Sequence, residues 1–182
     1  NTAEFAKDAG AYIISYRKNR GKGHALRLGF QKAFKLDPSV VITLDADGQH
    51  RPEEIPNFIN ALKNCDMVVG SRFLGKIKTS KTNIFGNIGL RFGVNLLSFG
   101  TSFENWLTDT ESGYRAYRID ALKKLNLKAE RFEIEAEIIL EAARKRLRIK
   151  EVPIEVPFKV KGVTVIDGLK NGFYVLNRWL ND

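Results

Sequence analysis

A short, almost wholly apolar run at residues 40–44, VVITL, constrains the fold of this chain more than any other feature of its sequence. A run without alternating polar residues is typical of a strand covered on both faces, as in a parallel sheet. Helical periodicity precedes it at 23–36, a helix start follows at Pro52, and a further strand is predicted at 67–70. Because strands and helices alternate, the pattern predicts an α/β fold with right-handed crossovers and a mostly parallel sheet flanked by helices.

Six further elements are predicted from apolar periodicity: strands at 12–16, 114–117 and 149–156, and helices at 3–9, 132–146 and 167–180. Pro153 favours a sheet edge for the last strand, because proline cannot donate a ladder hydrogen bond. Sheets of this kind ordinarily open with a strand, whereas this chain opens with what looks like the end of a helix. We therefore expect a single domain over residues 1–182 that lacks its N-terminal strand or strands.

Composition and charge limit the class of protein. The 30 Lys and Arg residues against 21 Asp and Glu give a net charge of +9, which predicts attraction to nucleic acid, an anionic membrane or phosphorylated small molecules. No uncharged stretch reaches the ~20 residues of a membrane-spanning helix. One cysteine and two histidines are too few for an internal disulfide or a zinc centre. Without a recognisable signal peptide, an intracellular setting is expected.

The apolar run ends in a cluster of polar residues, DADGQH at 45–50. Ligands of open parallel sheets bind beyond the carboxyl ends of the strands, where this cluster lies. Asp45 and Asp47, one residue apart, can direct their carboxylates towards a common cation, and Gln49 offers a neutral oxygen. Such hard oxygen ligands suit Mg²⁺ or Mn²⁺ bound through the phosphates of a substrate. The alternative is a tight turn, which uses the same residue types, and His50 receives no role in either.

A second candidate site is the loop NRGKG at 19–23, which leads into the helix predicted at 23–36. Backbone N–H groups at a helix N-terminus can face an anion such as a phosphate. The spacing of the glycines matches neither a Walker loop nor a dinucleotide-binding fingerprint. An ordinary turn before the helix therefore stays open as the alternative.

Five ordered motifs resemble those of the family 2 glycosyltransferases of the GT-A type, particularly the dolichyl-phosphate mannose or glucose synthase-like branch: NRGKGHALRLGF, VITLDADGQHRPEEI, VVGSRF, TDTESGYRAYR and IKEVPIEV. The resemblance implies a GT-A fold and an inverting transfer of a hexose from a GDP- or UDP-sugar, dependent on Mg²⁺ or Mn²⁺. It also implies that an acidic turn of the form DDGS, which binds the nucleoside, would precede Asn1.

The resemblance assigns roles position by position. Asp45, Asp47 and Gln49 are implied as metal ligands, and Lys22 lies with Asp45 and Asp47 where the family binds its donor. Arg72, after the Gly-Ser pair, is implied as a catalytic residue that meets the acceptor or donor phosphate.

The acceptor side rests on residues later in the chain. Asp109 falls on an acidic position near the acceptor pocket and is the candidate base if the acceptor is a hydroxyl, with the capping of a turn as its alternative. Arg115, after the SGY turn, is a further catalytic candidate. If the acceptor is a polyprenyl phosphate, the nucleophile is already an anion, and basic side chains need only orient it. Lys159 and Lys161 are then implied as acceptor-binding residues.

The segment at 83–103 is largely apolar, has Arg91 as its only charged residue, and resembles the interface helices of the family. With Lys76, Lys78 and Lys81 beside it, the segment can enter an anionic membrane surface. Packing on the core or against a partner subunit is the alternative.

The leading hypothesis is therefore a metal-dependent enzyme, peripheral at the cytoplasmic face of a membrane. It would move a hexose from a nucleotide sugar to a polyprenyl or dolichyl phosphate, with no nucleic acid as a partner. The alternative is a non-catalytic or truncated basic module that binds a membrane or nucleic acid.

Overall fold

The computed structural model describes residues 2–75, 95, 106–156, 172–174, 176–178, 180 and 181. The apolar segment predicted at 83–103, apart from Asn95, lies outside the described residues, as do Lys159 and Lys161. The last predicted helix, 167–180, is described in part, and its described residues are helical from 172 onwards.

Four strands form one mixed sheet: β1 (Val40–Thr43), β2 (Met67–Ser71), β3 (Arg115–Arg118) and β4 (Ile149–Pro153), in the order β1-β3-β2-β4. β3 runs antiparallel between β1 and β2, whereas β2 and β4 pair in parallel. Three of the four strands thus point the same way, and β4 lies at one end of the described sheet, as Pro153 predicts. The sheet therefore brings together the carboxyl ends of β1, β2 and β4 and the first residue of β3 at one edge, which we call the carboxyl edge.

The strand predicted at 12–16 is not formed in the described structure. No described strand pairs with this segment, and Tyr12 is 73% exposed. Without a neighbouring strand, the backbone groups of an extended segment have no ladder partners. The side chains instead pack on α2: the ammonium of Lys32 lies 4.2 Å from the ring centre of Tyr12, and Tyr16 meets His24 edge-on.

Besides the C-terminal helical residues, five helices are described with both ends: α1 (Thr2–Asp8), α2 (Lys22–Leu36), α3 (Ile55–Ala61), α4 (Ile119–Leu122) and α5 (Ile134–Arg144). Short 3₁₀ turns at Pro52–Glu54 and Leu62–Asn64 flank α3. α2 ends where Asp37 adopts a left-handed conformation, close to the predicted boundary. None of the helices in the described part of the chain is long and apolar enough to cross a bilayer.

The helices cover both faces of the sheet, and strand alternation decides which side chain meets which helix. Met67 and Val69 of β2 pack in a cluster with Phe30 of α2 and residues of α5. Val68 turns to the opposite face, where it packs with Phe58 of α3. The result is a helix–sheet–helix arrangement whose carboxyl edge is left to the loops.

Candidate active site

The carboxyl edge collects charged side chains from three parts of the chain. Asp45 follows β1, Arg72 follows β2, and the segment 108–114 leads into β3. Because β3 starts where β1 and β2 end, with Arg115 level with Thr43 and with Val69, this segment lies beside both strand ends.

Lys22, at the start of α2, bridges two carboxylates of the site. Its ammonium lies 2.8 Å from Oδ1 of Asp45 and 2.7 Å from Oε1 of Glu135. Burial by itself would lower the pKa of Lys22, but the carboxylates of Glu135 and Asp45 outweigh burial and raise the pKa above its ordinary value. The glycine at 113 leaves space for this ammonium, since a Cβ there would lie 2.6 Å from it. Lys22 is therefore a fixed positive charge beside Asp45.

The DADGQH segment is partly the tight turn that was the alternative prediction. Oδ1 of Asp47 accepts a hydrogen bond from the backbone N–H of Gln49 at 3.0 Å, and Gly48 has a positive φ of 82°. The side chain of Asp45 takes no part in this bond within the turn, because it reaches Lys22 instead. The turn leaves the Asp47 side chain exposed.

The donor set fits a cation shared with a substrate rather than a protein cage. Within the described residues no three His, Cys, Asp or Glu side chains are grouped to hold a metal ion. Asp47 and Gln49 supply hard oxygens on an exposed turn, and Mg²⁺ is commonly bound through one or two carboxylates plus substrate phosphates. The residues present are thus compatible with such an ion.

The loop at 19–23 is the ordinary turn, and the prediction that its N–H groups face an anion is wrong for those that the structure records. The N–H groups of Gly23 and His24 donate to the carbonyls of Arg131 at 3.2 Å and Glu130 at 3.0 Å. A side chain on Gly21 or Gly23 would collide with backbone atoms of residues 129 and 130. The loop is packed against that segment, and what it offers to the site is the ammonium of Lys22.

Arg72 is held by Asp109 through a two-pronged ion pair. Nε of Arg72 lies 2.7 Å from Oδ2 of Asp109 and Nη2 lies 2.8 Å from Oδ1, while the backbone N–H of Arg72 also donates to Oδ2. Asp109 is only 1% exposed, and Arg72 is 20% exposed. Glu151 of β4 in turn accepts hydrogen bonds from the N–H groups of Thr108 and Asp109.

This geometry contradicts the prediction that Asp109 is a base. Both carboxylate oxygens already accept hydrogen bonds from Arg72, and Oδ1 also accepts one from the N–H of Glu111. A carboxylate so occupied and so buried has no free lone pair directed at a substrate hydroxyl. The structural alternative, in which Asp109 fixes its own turn, is the one observed, and it places Arg72 as well.

Arg115 is also corrected, because its side chain is fully buried and cannot touch a substrate directly. Its guanidinium donates to the carbonyls of Ser112, Thr110 and Glu135 and pairs with the Glu135 carboxylate at 3.0 Å. Arg115 therefore fixes the segment before β3.

Two glutamates of the site were not predicted from the sequence. Glu135 lies in the acidic first turn of α5, and nothing in its spacing along the sequence shows that it faces Lys22 and Arg115. Glu111 lies inside the TDTESGYR motif, which was the available signal. Burial and the neighbouring carboxylates of Glu135 and Asp109 raise the pKa of Glu111 to about 7, against the opposing charges of Arg115 and Arg72.

Comparison with known proteins places the chain in a family. The sequence profile of glycosyl transferase family 2 matches residues 1–125. The chain is 36% identical over 172 residues to the UDP-N-acetylglucosamine–dolichyl-phosphate N-acetylglucosaminyltransferase of Methanococcus voltae, covering 86% of this chain and 65% of that enzyme. It is 30% identical over 183 residues to the undecaprenyl-phosphate mannosyltransferase of Micrococcus luteus, covering 96% of this chain and 73% of that one.

The fold has solved counterparts. Glucosyl-3-phosphoglycerate synthase from Mycobacterium tuberculosis, crystallised with Mn²⁺, UDP-glucose and phosphoglyceric acid, superposes with a TM-score of 0.65 at 14% identity. The match covers 98% of this chain but 64% of that one, so the chain spans less than two thirds of the solved enzyme. The likeness confirms the GT-A fold. The chain belongs to glycosyl transferase family 2, and the relatives it resembles there are named as sugar transferases of polyprenyl and dolichyl phosphates.

Proposed function

We propose that this protein transfers a hexose from a GDP- or UDP-sugar to a polyprenyl or dolichyl phosphate, with inversion at the sugar carbon and with Mg²⁺ or Mn²⁺ bound. The observation that carries the proposal is the pair of Arg72 and Asp109. The pair presents a partly exposed guanidinium whose orientation is fixed, while the one carboxylate predicted as a base is occupied. Such a site suits an acceptor that is already an anion.

The chemistry follows from that acceptor. A phosphate oxygen of the lipid attacks the anomeric carbon, the bond to the nucleoside diphosphate oxygen breaks, and the electron pair leaves with the diphosphate. One displacement of this kind inverts the sugar carbon, and no proton has to be removed. Arg72 is suited to orient the attacking phosphate, because a guanidinium meets a phosphate with two parallel hydrogen bonds. Nε and one N–H of Nη2 bind Asp109, so Nη1 and the second N–H of Nη2 are the pair of donors suited to this role.

The donor side rests on the residues after β1. Asp47, Gln49 and Asp45 would hold the divalent cation, which neutralises charge on the leaving diphosphate. Lys22 holds the Asp45 carboxylate in place and adds a positive charge beside the expected position of the diphosphate. The names of the relatives and the Mn²⁺ in the solved counterpart support this assignment.

Several parts of the proposal concern residues outside the described structure. We place the segment 83–103 at an anionic membrane surface on the cytoplasmic side, and Lys159 and Lys161 at the acceptor phosphate. We also retain one glycosyltransferase domain over residues 1–182. These assignments rest on the motifs and the charge of the sequence. Family membership weighs against the alternative of a non-catalytic basic module, although salt-dependent duplex binding without donor binding would favour it.

The test is transfer of labelled hexose from GDP-mannose, UDP-glucose or UDP-N-acetylglucosamine to polyprenyl phosphate in vesicles, with Mn²⁺ or Mg²⁺ and with a chelator. We expect Asp47→Ala to lower the rate at least 100-fold and Arg72→Lys to raise the acceptor KM at least 10-fold. Asp37→Ala is the matched control, because Asp37 forms an exposed ion pair with Lys123 away from the site. Equal rates for the unaltered protein and Asp47→Ala would refute the metal role, and transfer to a free hydroxyl but not to the lipid phosphate would refute the acceptor.

A further inference from the structure

His50 carries the one polar side chain of the DADGQH segment that has no role in the proposed chemistry, yet it is buried. The side chain is 8% exposed. Its Nδ1 accepts a hydrogen bond of 2.8 Å from the backbone N–H of Asp45. Because Nδ1 is the acceptor, the ring is neutral with its proton on Nε2.

This hydrogen bond closes the turn that carries all three proposed metal ligands. It joins the first residue of the segment to the last, so that Asp47 and Gln49 lie inside the closed loop. The inner bond from the Gln49 N–H to Asp47 lies within the same loop. The direction of the Asp45 side chain depends on its backbone, and the N–H of Asp45 is bonded to the His50 ring rather than to a strand.

The ring is itself anchored to the core. His50 packs against Tyr114 with ring centres 5.0 Å apart, and Tyr114 stacks on Phe58 of α3 at 4.2 Å. The Tyr114 hydroxyl donates to the carbonyl of Arg51 at 2.8 Å, which fixes the residue next to His50. Because its ring packs on the core and its Nδ1 binds the Asp45 N–H, the imidazole fixes the Asp45 backbone relative to the core.

We propose that His50 is a positioning residue: by accepting the Asp45 N–H it fixes the turn on which the cation and the donor diphosphate are held. The inference rests on the proposed function. Burial lowers the pKa of His50, although the carboxylates of Asp45 and Asp47 act in the opposite direction, and this lowering is consistent with the neutral ring that the geometry requires.

Two substitutions distinguish the hydrogen-bond acceptor of His50 from the packing of its ring. His50→Phe keeps an aromatic ring against Tyr114 but has no acceptor. His50→Asn loses the ring but can place an amide oxygen close to the position of Nδ1. His24→Phe is the matched control, because His24 is the other histidine of the chain and packs edge-on against Tyr16 away from the turn.

The measurement is Mn²⁺ affinity in the presence of GDP or UDP, followed by electron paramagnetic resonance, together with KM and kcat for the donor and a thermal melt. We expect His50→Phe to weaken Mn²⁺ binding about 10- to 100-fold, the usual effect of removing a residue that orients metal ligands. The donor KM should rise with it while kcat changes less. His50→Asn should stay within about threefold of the unaltered protein, and His24→Phe within about twofold.

Binding by the folded variants decides the role of His50. Equal binding by folded His50→Phe and the unaltered protein, or equal losses in the Phe and Asn variants, would overturn it. If His50→Phe does not fold, the unaltered ¹⁵N-labelled protein decides instead: a coupling across the hydrogen bond between Nδ1 of His50 and the Asp45 amide nitrogen supports the role, and its absence overturns it. Failure of the unaltered protein to bind Mn²⁺ with either nucleotide would instead overturn the proposed metal site, and the role of His50 with it.

Discussion

Glu135 and Glu137 lie two residues apart on α5, are both buried and both pair with a buried arginine, yet they belong to different parts of the molecule. Residues two apart on a helix point about 200° away from each other around its axis. Glu135 consequently faces the carboxyl edge, where it binds Lys22 and Arg115. Glu137 faces away from that edge.

Glu137 joins three segments of the fold. Its carboxylate accepts hydrogen bonds from the N–H groups of Lys128 and Ala129, from the Tyr174 hydroxyl at 3.0 Å and from Nε of Arg178 at 3.0 Å. These contacts tie the C-terminal helical residues to α5 and to the segment before it. None of them leads towards Asp45.

The comparison shows that burial and ion pairing do not by themselves mark a functional carboxylate. The difference lies in what the basic partner of each carboxylate contacts in turn. Lys22 connects Glu135 to Asp45, whose side chain is 40% exposed and faces the proposed donor. The partners of Glu137 that the structure records make no contact with the site residues.

The largest expected effect is on stability, from Glu137→Ala. Removing one partner of a buried ion pair typically costs about 3 to 5 kcal/mol, and two backbone N–H groups lose their acceptor as well. The free energy of unfolding, measured with urea, should fall by that amount, while the transfer rate per folded molecule is unchanged. Glu130→Ala is the control and should cost less than about 1 kcal/mol, because its pair with Arg27 is exposed and 3.8 Å long. A loss of transfer per folded molecule would break the comparison.

Glu135→Gln should lower stability less than Glu137→Ala does, but should also impair transfer. The amide can still accept a hydrogen bond from Arg115, so we expect a loss of stability of about 1 to 3 kcal/mol. Lys22 loses one of its two carboxylates, and kcat/KM for the donor should fall about 10- to 100-fold. Urea unfolding and steady-state kinetics on the same preparation measure both effects. Unchanged kinetics beside a lower stability would make Glu135 structural, like Glu137.

The pH dependence of stability sharpens the comparison, because the carboxylate of Glu135 contributes to the raised pKa of Glu111 at the carboxyl edge. The pKa of Glu111 is raised from 4.5 to about 7 in the folded protein. A raised pKa favours the protonated folded state, so this contribution to stability is complete below about pH 4.5 and is lost as the pH rises through 7. Glu111→Gln removes the ionisation and should make the protein about 1 to 3 kcal/mol less sensitive to a change from pH 5 to pH 8.

Urea midpoints at pH 5 and pH 8 for the unaltered protein and Glu111→Gln provide the check. The gain of the variant should appear at pH 8 and not at pH 5. A parallel pH dependence in both proteins would show that Glu111 ionises normally.

The smallest expected effect is that of Gly113→Ala. The added methyl group would lie 2.6 Å from the Lys22 ammonium and 3.0 Å from Oδ2 of Asp45, and the end of a lysine side chain can move away. Stability should change by less than about 1 kcal/mol, while the donor KM rises severalfold because Lys22 no longer sits between the two carboxylates. Thermal melting and donor kinetics test this, and an unchanged KM would mean that the exact place of Lys22 is unimportant.

Local patterns predicted most of the described elements. α2, β1 and β2 were within one or two residues of their observed bounds, because their apolar periodicity agrees with the packing they meet. The segment at 12–16 has an equally good strand pattern but no partner in the described structure. A strand depends on its neighbour, and the sequence of the strand alone does not contain that information.

The site divides in the same way. Asp45, Asp47 and Gln49 could be singled out because they stand at alternate positions directly after a strand. The pairing of Arg72 with Asp109 could not, since 37 residues separate them and only the antiparallel insertion of β3 brings them together. For the same reason Arg115, which stands in a recognisable motif, could not be recognised as fully buried.

The packing of Gly21 and Gly23 against residues 129–131 also has a consequence for how the molecule opens. The amides of Gly23 and His24 can exchange with solvent only when the start of α2 separates from residues 129–131. The start of α2 and the segment leading into α5 should therefore exchange together, as one cooperative unit. Any spontaneous loosening of this unit would withdraw Lys22 from Asp45 and Glu135 at the same moment, so donor binding and protection from exchange should rise and fall together.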